Sequence, residues 1–453
     1  MVLYLYLCCE YIKDNKMIAE IKFKNFFSIR SEQVLSFEPT ADTFEKEEYC
    51  IEVKEGLNLL KIATIYGANA SGKTNILMAL SFLRDLMIEI PKDKTEEISF
   101  SPFMLDNDSR KERTEMSMSF YLQGERYNLS VELDNERIYS EKLEFYPGTQ
   151  PAELYSRKYN KESDISDVKF GNKLGVGKKG QLAITGNTIN NCSVLAAFGK
   201  SNVESSRLNV VYDFFAKGIK DVLHPQVSLT SFAKKHLDDD KDGSLKKFLI
   251  DFLKASDFNI CDVELKEQDV AITPEMEKMI QASPIPEEAK KQMFQKGKIT
   301  NTELLFSHTT DNGEFVLPEE VESRGTIRFM GIAVLLKQLL LDKKIISIDE
   351  METSLHYELL SYFIKVYLAN SNCPSQLILT THDINLLDED FIRRDTIWFT
   401  DKNSSGETIL TRLSSLGLHK NLSPYNAYKQ GKLVKLPFLG SIYLKDDNLC
   451  EEQ

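Results

Sequence analysis

The stretch "YGANASGKTN", from Tyr66 to Asn75, decides the fold of this chain. It matches the pattern G-x-x-x-x-G-K-[ST], and the fixed positions are Gly67, Gly72, Lys73 and Thr74. The apolar run "LNLLKIATIYG" leads into it and is typical of a buried strand. Behind it, apolar residues recur at spacings of three and four, which predicts a helix with one buried face. This context predicts a phosphate-binding loop between a strand and a helix.

The spacing within the loop has a physical explanation. Glycines let the backbone curl so that successive N–H groups face phosphate oxygens, and the following helix presents its positive N-terminal end to the same anion. We expect Lys73 to reach the β- and γ-phosphates of a nucleoside triphosphate and the Thr74 hydroxyl to ligate Mg²⁺. The predicted binding residues of the loop are Gly67, Asn69, Ser71, Gly72, Lys73, Thr74 and Asn75.

Two acidic residues follow a second apolar strand far along the chain, in "KIISIDE". A carboxylate at the end of such a strand can hold Mg²⁺, a role that we assign to Asp349. The next carboxylate can orient and deprotonate the attacking water, a role that we assign to Glu350. The alternative is that the two acids only favour the N-terminus of the next helix.

Two further motifs are compatible with phosphate binding. The strand in "LILTTHD" ends at His382, whose ring could form a hydrogen bond with the γ-phosphate; the alternative is a purely structural histidine. The segment "ESRGTIRF" opens a predicted helix from Thr326 to Leu341. Ser323 and Gly325 would then offer a hydroxyl and N–H groups to an anion at the helix N-terminus.

The chain has 453 residues, enough for two or three domains. Alternating apolar residues from Met116 to Tyr146 predict an antiparallel β-meander, whereas the region from Ser201 to Met293 reads as helical. Its clearest amphipathic pieces are "VVYDFFAKGIKDVL" and "SLKKFLIDFLKAS". The predicted fold class is α/β with a mixed sheet, an antiparallel β-subdomain and a helical insertion. The predicted segments are a leader or disordered arm (1–16), the first half of the head domain (17–150), a mainly helical insertion (151–314) and the second half (315–453).

Composition excludes several classes of protein. A formal net charge of −13 argues against a chain that coats nucleic acid by bulk attraction. The apolar runs are too short to span a membrane, so no membrane association is expected. Seven cysteines without paired spacing fit the reducing cytoplasm better than a disulfide framework.

The motifs "GANASGKTN", "ESRGT", "IDEMETSLH" and "TTHD", in this order and split by an insertion, resemble those of ABC-type ATPases of the SMC/RecF class. Within that class the chain is similar to the short-armed ATPases of bacterial anti-phage and abortive-infection systems, such as RloA-like, PARIS AriA-like and Septu PtuA-like proteins. The resemblance covers residues 17–150 and 315–440, and "YNAYKQGKLVKLP" is similar to the tail of these defence ATPases.

The resemblance implies a composite ATP site between two subunits. One subunit would supply Mg²⁺ and ATP contacts through the phosphate loop, Asp349, Glu350 and His382, and the other would supply Ser323 and Gly325. Ser354 would lie in the D-loop that crosses the interface of the homodimer or higher homo-oligomer. The chain departs from the class in two respects: "ESRGT" replaces the LSGGQ signature, and Gln123 is the sole, insecurely placed candidate for the Q-loop glutamine.

Three functional hypotheses follow from these motifs. The first is a cytoplasmic ATP-dependent switch that senses infection and controls a partner effector, a Toprim-type or HNH-type nuclease encoded nearby. The second is a RecF-like DNA repair ATPase that clamps DNA, so contact with nucleic acid stays possible. The third is a scaffold that binds ATP for structural reasons and does not hydrolyse it.

Overall fold

The computed structural model describes residues 15–256, 258–283, 287–370, 374–419 and 422–434. Most of the predicted leader, residues 1–14, lies outside this range, as do the last three residues of the "YNAYKQGKLVKLP" motif. The first strand of the described residues starts at Lys16, and Met17 is fully buried.

The strands and helices of the described residues are numbered here in chain order. The strands are β1 (Lys16–Lys24), β2 (Gln33–Ser36), β3 (Cys50–Lys54), β4 (Leu57–Leu60), β5 (Ile62–Gly67), β6 (Thr114–Leu122), β7 (Glu125–Leu133), β8 (Ile138–Tyr146), β9 (Ala152–Asn160), β10 (Ile165–Phe170), β11 (Ile260–Ala271), β12 (Lys298–Thr310), β13 (Gly313–Pro318), β14 (Ile345–Ile348), β15 (Gln376–Thr381), β16 (Ile397–Lys402) and β17 (Thr408–Arg412). The α-helices are α1 (Lys46–Tyr49), α2 (Lys73–Ile88), α3 (Lys178–Asn187), α4 (Val194–Lys200), α5 (Ser206–Asp213), α6 (Leu229–Asp238), α7 (Ser244–Ala255), α8 (Pro274–Ala282), α9 (Glu287–Lys296), α10 (Arg324–Leu341), α11 (Tyr357–Asn370) and α12 (Pro424–Lys429).

The chain divides into two compact units, each built from separate segments. The first unit consists of Met1–Leu223, Lys343–Met351 and Pro374–Gln453, and the second of His224–Asp342 and Glu352–Cys373. The phosphate loop, Asp349, Glu350 and His382 therefore belong to the first unit, whereas Ser323, Gly325 and Ser354 belong to the second.

A five-stranded sheet carries the predicted phosphate loop of the first unit. Its order is β14-β15-β5-β16-β17, and all neighbours are parallel except β16 and β17. Every residue of β5 and β15 is buried, as expected for strands that are covered on both faces. Because β5, β14 and β15 run in the same direction, their carboxyl ends meet at one edge. This edge brings together the phosphate loop, Asp349 and His382.

An antiparallel sheet forms the rest of the first unit, in the order β10-β9-β8-β7-β6-β1-β2. The β-meander predicted from Met116 to Tyr146 is confirmed as β6, β7 and β8. The sheet continues through β9 and β10 to Phe170, past the segment boundary predicted at residue 150. The continuation was hidden because β9 carries charged side chains, including the buried Arg157, which donates to the carbonyls of Ile189, Asn190 and Cys192.

One predicted helix of the insertion is only half formed. Helix α5 ends at Asp213, and after a wider helical turn (Phe214–Gly218) the chain becomes extended. The N–H groups of Lys220 and Leu223 then donate to carbonyls of β14 over 2.9 Å each. The last residues of "VVYDFFAKGIKDVL" therefore lie extended along the edge of the sheet beside β14. There the hydrogen bonds to β14 stabilise the extended backbone more than the helix that the apolar spacing predicts.

The second unit combines four packed helices with a small sheet. Helix α10 packs against α6, α7 and α11, and Phe252 stacks on Phe329 and Tyr362 with ring centroids 5.0 and 5.3 Å apart. Strands β11, β12 and β13 form an antiparallel sheet, which interrupts the segment 151–314 that was predicted to be mainly helical. The second half of β11 is exposed and charged on both faces, and no alternation of apolar residues marked it as a strand.

The longest helix among the described residues, α10, shows where the apolar runs of the sequence are used. Nearly all side chains from Phe329 to Leu336 are buried. They supply the core of the second unit. None of the helices in the described ranges is both long enough and apolar enough to cross a bilayer.

Candidate functional site

The phosphate loop lies where β5 ends and α2 begins. Gly67 is the last residue of β5, and Lys73 is the first residue of α2. Between them the chain turns sharply, with φ angles of 62° at Ala70 and 106° at Gly72. Glycine adopts this left-handed region without the steric cost that a side chain would bring. The loop therefore has the curled shape that phosphate binding requires.

The C-terminal hairpin supports the loop at Ser71. The Thr408 hydroxyl of β17 donates to the Ser71 carbonyl over 2.8 Å, and the Ser71 and Thr400 hydroxyl oxygens lie 2.6 Å apart. A Cβ atom at Gly72 would approach Thr408 Oγ1 to 2.1 Å. Gly72 is thus needed both for its backbone angle and for the close approach of β17.

A chain of hydrogen bonds joins the first turn of α2 to the N-terminal segment. Asn75 Nδ2 donates to Ser28 Oγ over 2.6 Å, and Ser28 Oγ lies 2.7 Å from Thr408 Oγ1. Because the Thr408 hydroxyl gives its hydrogen to Ser71, Ser28 is the donor in its contact with Thr408. Ser71 and Asn75 thus take part in bracing the loop, while Asn69 lies exposed upon it.

The Lys73 ammonium group closes the loop. It donates to the carbonyl oxygens of Gly67 and Ala68 over 3.0 and 3.3 Å, and it lies 3.0 Å from His382 Nε2. The same ring nitrogen is 3.4 Å from a carboxylate oxygen of Glu350. Since lysine only donates, Nε2 accepts from Lys73 when it carries no hydrogen and donates to Glu350 when it carries one. Lys73, His382 and Glu350, which form the predicted catalytic set, therefore lie together.

The carboxylate of Asp349 is bound at both of its oxygens. Oδ2 accepts a hydrogen bond from the Thr74 hydroxyl over 2.9 Å, and Oδ1 accepts one from the Thr380 hydroxyl over 2.6 Å. Only 4% of Asp349 is exposed. Its N–H donates to the carbonyl of Leu223, in the extended segment beside β14. Side chain and backbone are thus both fixed.

Glu350 follows in a turn with an unusual backbone conformation. Its φ angle is 46°, in the left-handed region that residues with a Cβ atom seldom adopt. The Glu350 N–H donates to Thr380 Oγ1 over 2.8 Å, and the Met351 N–H donates to the Thr380 carbonyl over 3.1 Å. The turn leaves the Glu350 side chain 41% exposed beside His382.

The oxygens at this edge fit a magnesium ion. Mg²⁺ prefers hard oxygen ligands and normally takes only one or two from the protein, with phosphate and water completing its shell. The Thr74 hydroxyl and an Asp349 carboxylate oxygen lie 2.9 Å apart at the start of α2. These two residues would hold the ion, which would neutralise phosphate charge next to Lys73.

The remaining predicted nucleotide contacts lie in the second unit. Ser323 caps helix α10, because its Oγ accepts a hydrogen bond from the Thr326 N–H over 3.0 Å. A Cβ atom at Gly325 would lie 3.1 Å from the carbonyl oxygen of Ser354, whose own φ angle is 63°. Helix α10, the signature helix, begins in the "ESRGT" motif. Its first turn thus lies against Ser354 of the predicted D-loop within the second unit.

The glutamine considered for the Q-loop does not lie at the nucleotide-binding edge. Gln123 occupies the exposed hairpin turn between β6 and β7, and its N–H donates to the Asn15 carbonyl. It belongs to the antiparallel sheet.

Sequence reasoning missed four hydroxyl residues of the site. Thr380 stands inside the quoted motif "TTHD", so its position was marked although its contacts were not. Thr400 and Thr408 gave no such signal, because threonine is common in strands for reasons of shape alone. The fourth residue, Ser28, lies in the turn between β1 and β2.

Several solved structures resemble this fold. The "SMC head domain from Thermotoga maritima" is 11% identical, with a TM-score of 0.41 over 87% of this chain and 98% of that one. The SmcHead bound to the C-winged helix domain of ScpA is 13% identical, with a TM-score of 0.40 over 91% and 99%. The recombination mediator protein RecF-ATPrS is 12% identical, with a TM-score of 0.36 over 88% and 99%. No curated protein matches the chain.

A family model matches residues 62–388, well over half of the chain. Its description is "AAA domain, putative AbiEii toxin, Type IV TA system". The matched range begins with β5 and contains the phosphate loop, Asp349, Glu350 and His382. The chain therefore belongs to this AAA-domain family.

Proposed function

We propose that this protein is an ATP-hydrolysing molecular switch of an anti-phage, abortive-infection system. The observation that carries the proposal is the arrangement at the carboxyl edge of the five-stranded sheet. There Lys73, the Thr74–Asp349 oxygen pair and Glu350 meet next to a curled phosphate loop. These are the groups that phosphoryl transfer to water requires: a cation for phosphate charge, ligands for Mg²⁺ and a base for the water.

Each residue has a distinct role in the proposed reaction. Lys73 binds the β- and γ-phosphates, and Thr74 with Asp349 holds Mg²⁺. Glu350 accepts the proton of the attacking water, and its exposed carboxylate is placed for a group that must meet solvent and substrate. His382 contacts the γ-phosphate. Its Nε2 lies 3.0 Å from the Lys73 ammonium and 3.4 Å from a Glu350 carboxylate oxygen, so it links these two residues.

The composite site is part of the proposal. Ser323 and Gly325 stand at the start of an 18-residue helix, and Ser323 is exposed there. A helix N-terminus attracts anions. We expect a second copy of the chain to present this end to the γ-phosphate, so that ATP holds a homodimer together and hydrolysis releases it.

The biological role rests on the description of the family, which names the AbiEii toxin and a type IV toxin–antitoxin system. Opening of the ATP-bound assembly would release or activate a separate cytoplasmic effector, a Toprim-type or HNH-type nuclease encoded nearby. A pull-down with a hydrolysis-deficient variant tests this part. Recovery of such a nuclease supports the defence role. DNA-stimulated ATPase activity with salt-sensitive DNA binding in its place supports the DNA-clamp hypothesis.

Replacing Glu350 with glutamine tests the switch directly. Glu350→Gln removes the base and keeps the size of the side chain, so we expect ATP turnover to fall by about 100-fold or more. ATP-bound dimers should accumulate, measured as molar mass by light scattering with Mg-ATP. The matched control is Glu162→Gln in the exposed turn between β9 and β10, which should hydrolyse ATP at the normal rate. Equal turnover in Glu350→Gln and wild type would contradict the proposal.

A further inference from the structure

Thr380 is a fully buried residue near the end of β15. Its hydroxyl donates to Asp349 Oδ1 over 2.6 Å and accepts from the Glu350 N–H over 2.8 Å. Its carbonyl accepts from the Met351 N–H over 3.1 Å. One residue of β15 thus binds three consecutive residues that follow β14.

We propose that Thr380 is a positioning residue for ATP hydrolysis, which sets the metal carboxylate and the catalytic base in a fixed relation to each other. The inference rests on the proposed function of the same site. A single hydroxyl group is shared between Asp349 and Glu350, so the two cannot shift independently. Thr380 acts only through these neighbours and is therefore not a catalytic residue.

The contact with Asp349 fixes the direction of the carboxylate. With Oδ1 held by Thr380, Oδ2 is the oxygen that faces Thr74, 2.9 Å from its hydroxyl. Free rotation of the carboxylate would allow it to turn away from the metal position. Residues in the outer shell of metal sites act in this way, and their loss typically costs about 10- to 100-fold in metal affinity or activity.

The contact with Glu350 stabilises a strained backbone. A φ angle of 46° at a residue with a Cβ atom persists only where the surroundings enforce it. Here the enforcing bonds are those from the Glu350 and Met351 N–H groups to the Thr380 hydroxyl and carbonyl. A substitution can remove the Thr380 hydroxyl but not the Thr380 carbonyl. The Glu350 N–H then loses its hydrogen bond to Thr380 Oγ1.

The test compares Thr380→Val, which keeps the shape, with Thr380→Ser, which keeps the hydroxyl. We expect Thr380→Val to lower kcat by about 10- to 100-fold and to raise the Mg²⁺ concentration for half-maximal activity. KM for ATP at saturating Mg²⁺ should change far less. Thr380→Ser should restore kcat to within about 3-fold of wild type, and Thr380→Cys, a weaker donor, should fall between them.

A matched control separates positioning from general destabilisation. Thr396 is also buried, and its hydroxyl donates to the Arg393 carbonyl over 2.6 Å, away from the site. Thr396→Val should lose stability without losing kcat or Mg²⁺ response. Equal kcat in Thr380→Val and wild type, or no rescue by Thr380→Ser, overturns the inference.

A binding measurement keeps the inference distinct from the proposed function. Binding of a fluorescent ATP analogue is titrated with Mg²⁺ for each variant, without any need for turnover. A wild type that binds Mg-nucleotide but never hydrolyses it would refute the ATPase proposal. The role of Thr380 in positioning Asp349 would still be supported if Thr380→Val alone shifted the Mg²⁺ dependence of nucleotide binding. That role would be refuted if Thr380→Val and Thr380→Ser both bound the nucleotide like wild type.

Discussion

Hydroxyl groups organise the surroundings of the phosphate loop. Asn75, Ser28 and Thr408 form a chain of hydrogen bonds that ends at the carbonyl of Ser71. In this chain each hydroxyl both donates and accepts, so its direction is defined from one end to the other. The loop is therefore held in shape before any phosphate reaches it, which lowers the ordering cost of binding.

Removing one link of this chain should weaken both the fold and nucleotide binding. In Thr408→Val the carbonyl of Ser71 and the hydroxyl of Ser28 lose a buried partner, which costs about 1–3 kcal/mol of unfolding free energy. We expect a weaker affinity for ATP, measured by calorimetry, together with an earlier midpoint in denaturant. The control Thr411→Val alters a partly exposed residue of the same strand. An unchanged affinity for ATP in Thr408→Val would show that the loop binds ATP without the hydrogen bonds from Thr408.

The contrast between Lys73 and Thr408 shows which residues of the site can be predicted from the sequence. Lys73 and Thr74 were predictable because the phosphate loop is local, with all its fixed positions in one short segment. Thr408 lies 337 residues after Ser71 in the chain and meets it only because β17 is placed beside the loop. No local pattern encodes such a contact. The same holds for Ser28, 380 residues before Thr408.

At the scale of elements, the signature helix α10 and the turn after Met351 are closely fitted. Gly325 in the first turn of the helix faces the carbonyl of Ser354, and a Cβ atom would already lie only 3.1 Å away. In the proposed dimer both segments serve the subunit interface. A change at this contact should therefore affect assembly more than nucleotide binding by the single subunit.

A branched side chain at Gly325 tests this separation. We expect Gly325→Val to push the Ser354 turn away and to raise the dissociation constant of the ATP-dependent dimer by about 10-fold in a Glu350→Gln background, a loss of about 1.4 kcal/mol. Binding of ATP to the monomer should stay within about 3-fold of normal. The control is Gly186→Val, at a helical glycine with open space around it. Dimerisation at the normal level in Gly325→Val would count against the composite site.

The elements of the second unit also show where pattern reading fails. Helices α7 and α10 were predicted because apolar residues recur in them at helical spacing. Strands β11 and β12 form a long ladder of backbone hydrogen bonds, and the second half of β11 is exposed on both faces. A ladder that buries few side chains leaves no period-two signal for the sequence to display.

At the scale of the whole chain, the first unit depends on contacts between its ends. Arg393 binds both oxygens of Asp395 and also donates to the carbonyls of Asp42 and Phe44, more than 340 residues earlier. Asp395 in turn accepts from the N–H and hydroxyl of Thr40. Both members of the ion pair are almost fully buried. The pair therefore fastens the N-terminal segment to the start of β16.

Loss of the charge on Asp395 should destabilise the protein in a pH-dependent way. Burial raises the pKa of Asp395, but the hydrogen bonds from Arg393 and Thr40 outweigh it, and the pKa lies below its usual 3.8. Because the folded-state pKa is depressed, the stabilisation is complete above about pH 4 and is lost as pH falls through the lower value. We expect Asp395→Asn to lose about 3–5 kcal/mol of unfolding free energy near pH 7, because Arg393 keeps an unpaired buried charge.

The check is denaturant unfolding of both proteins between pH 7 and pH 3. The difference between wild type and Asp395→Asn should narrow as the pH drops below about 4. Asp390→Asn, at an exposed position nearby, is the control and should show no such loss. A constant difference across this pH range would mean that the charge of Asp395 does not stabilise the fold.

The support of the phosphate loop by β16 and β17 has a consequence for synthesis of the protein. The loop is complete in the nascent chain once Thr74 has been added, but Thr400 and Thr408 follow more than 320 residues later. At about 5–20 residues per second, translation needs roughly 16–70 seconds to bring them. A nascent chain that ends before Thr400 therefore contains the phosphate-loop motif but lacks the hydrogen bonds that support the loop. The proposed switch can therefore acquire its supported ATP site only after β16 and β17 have been synthesised.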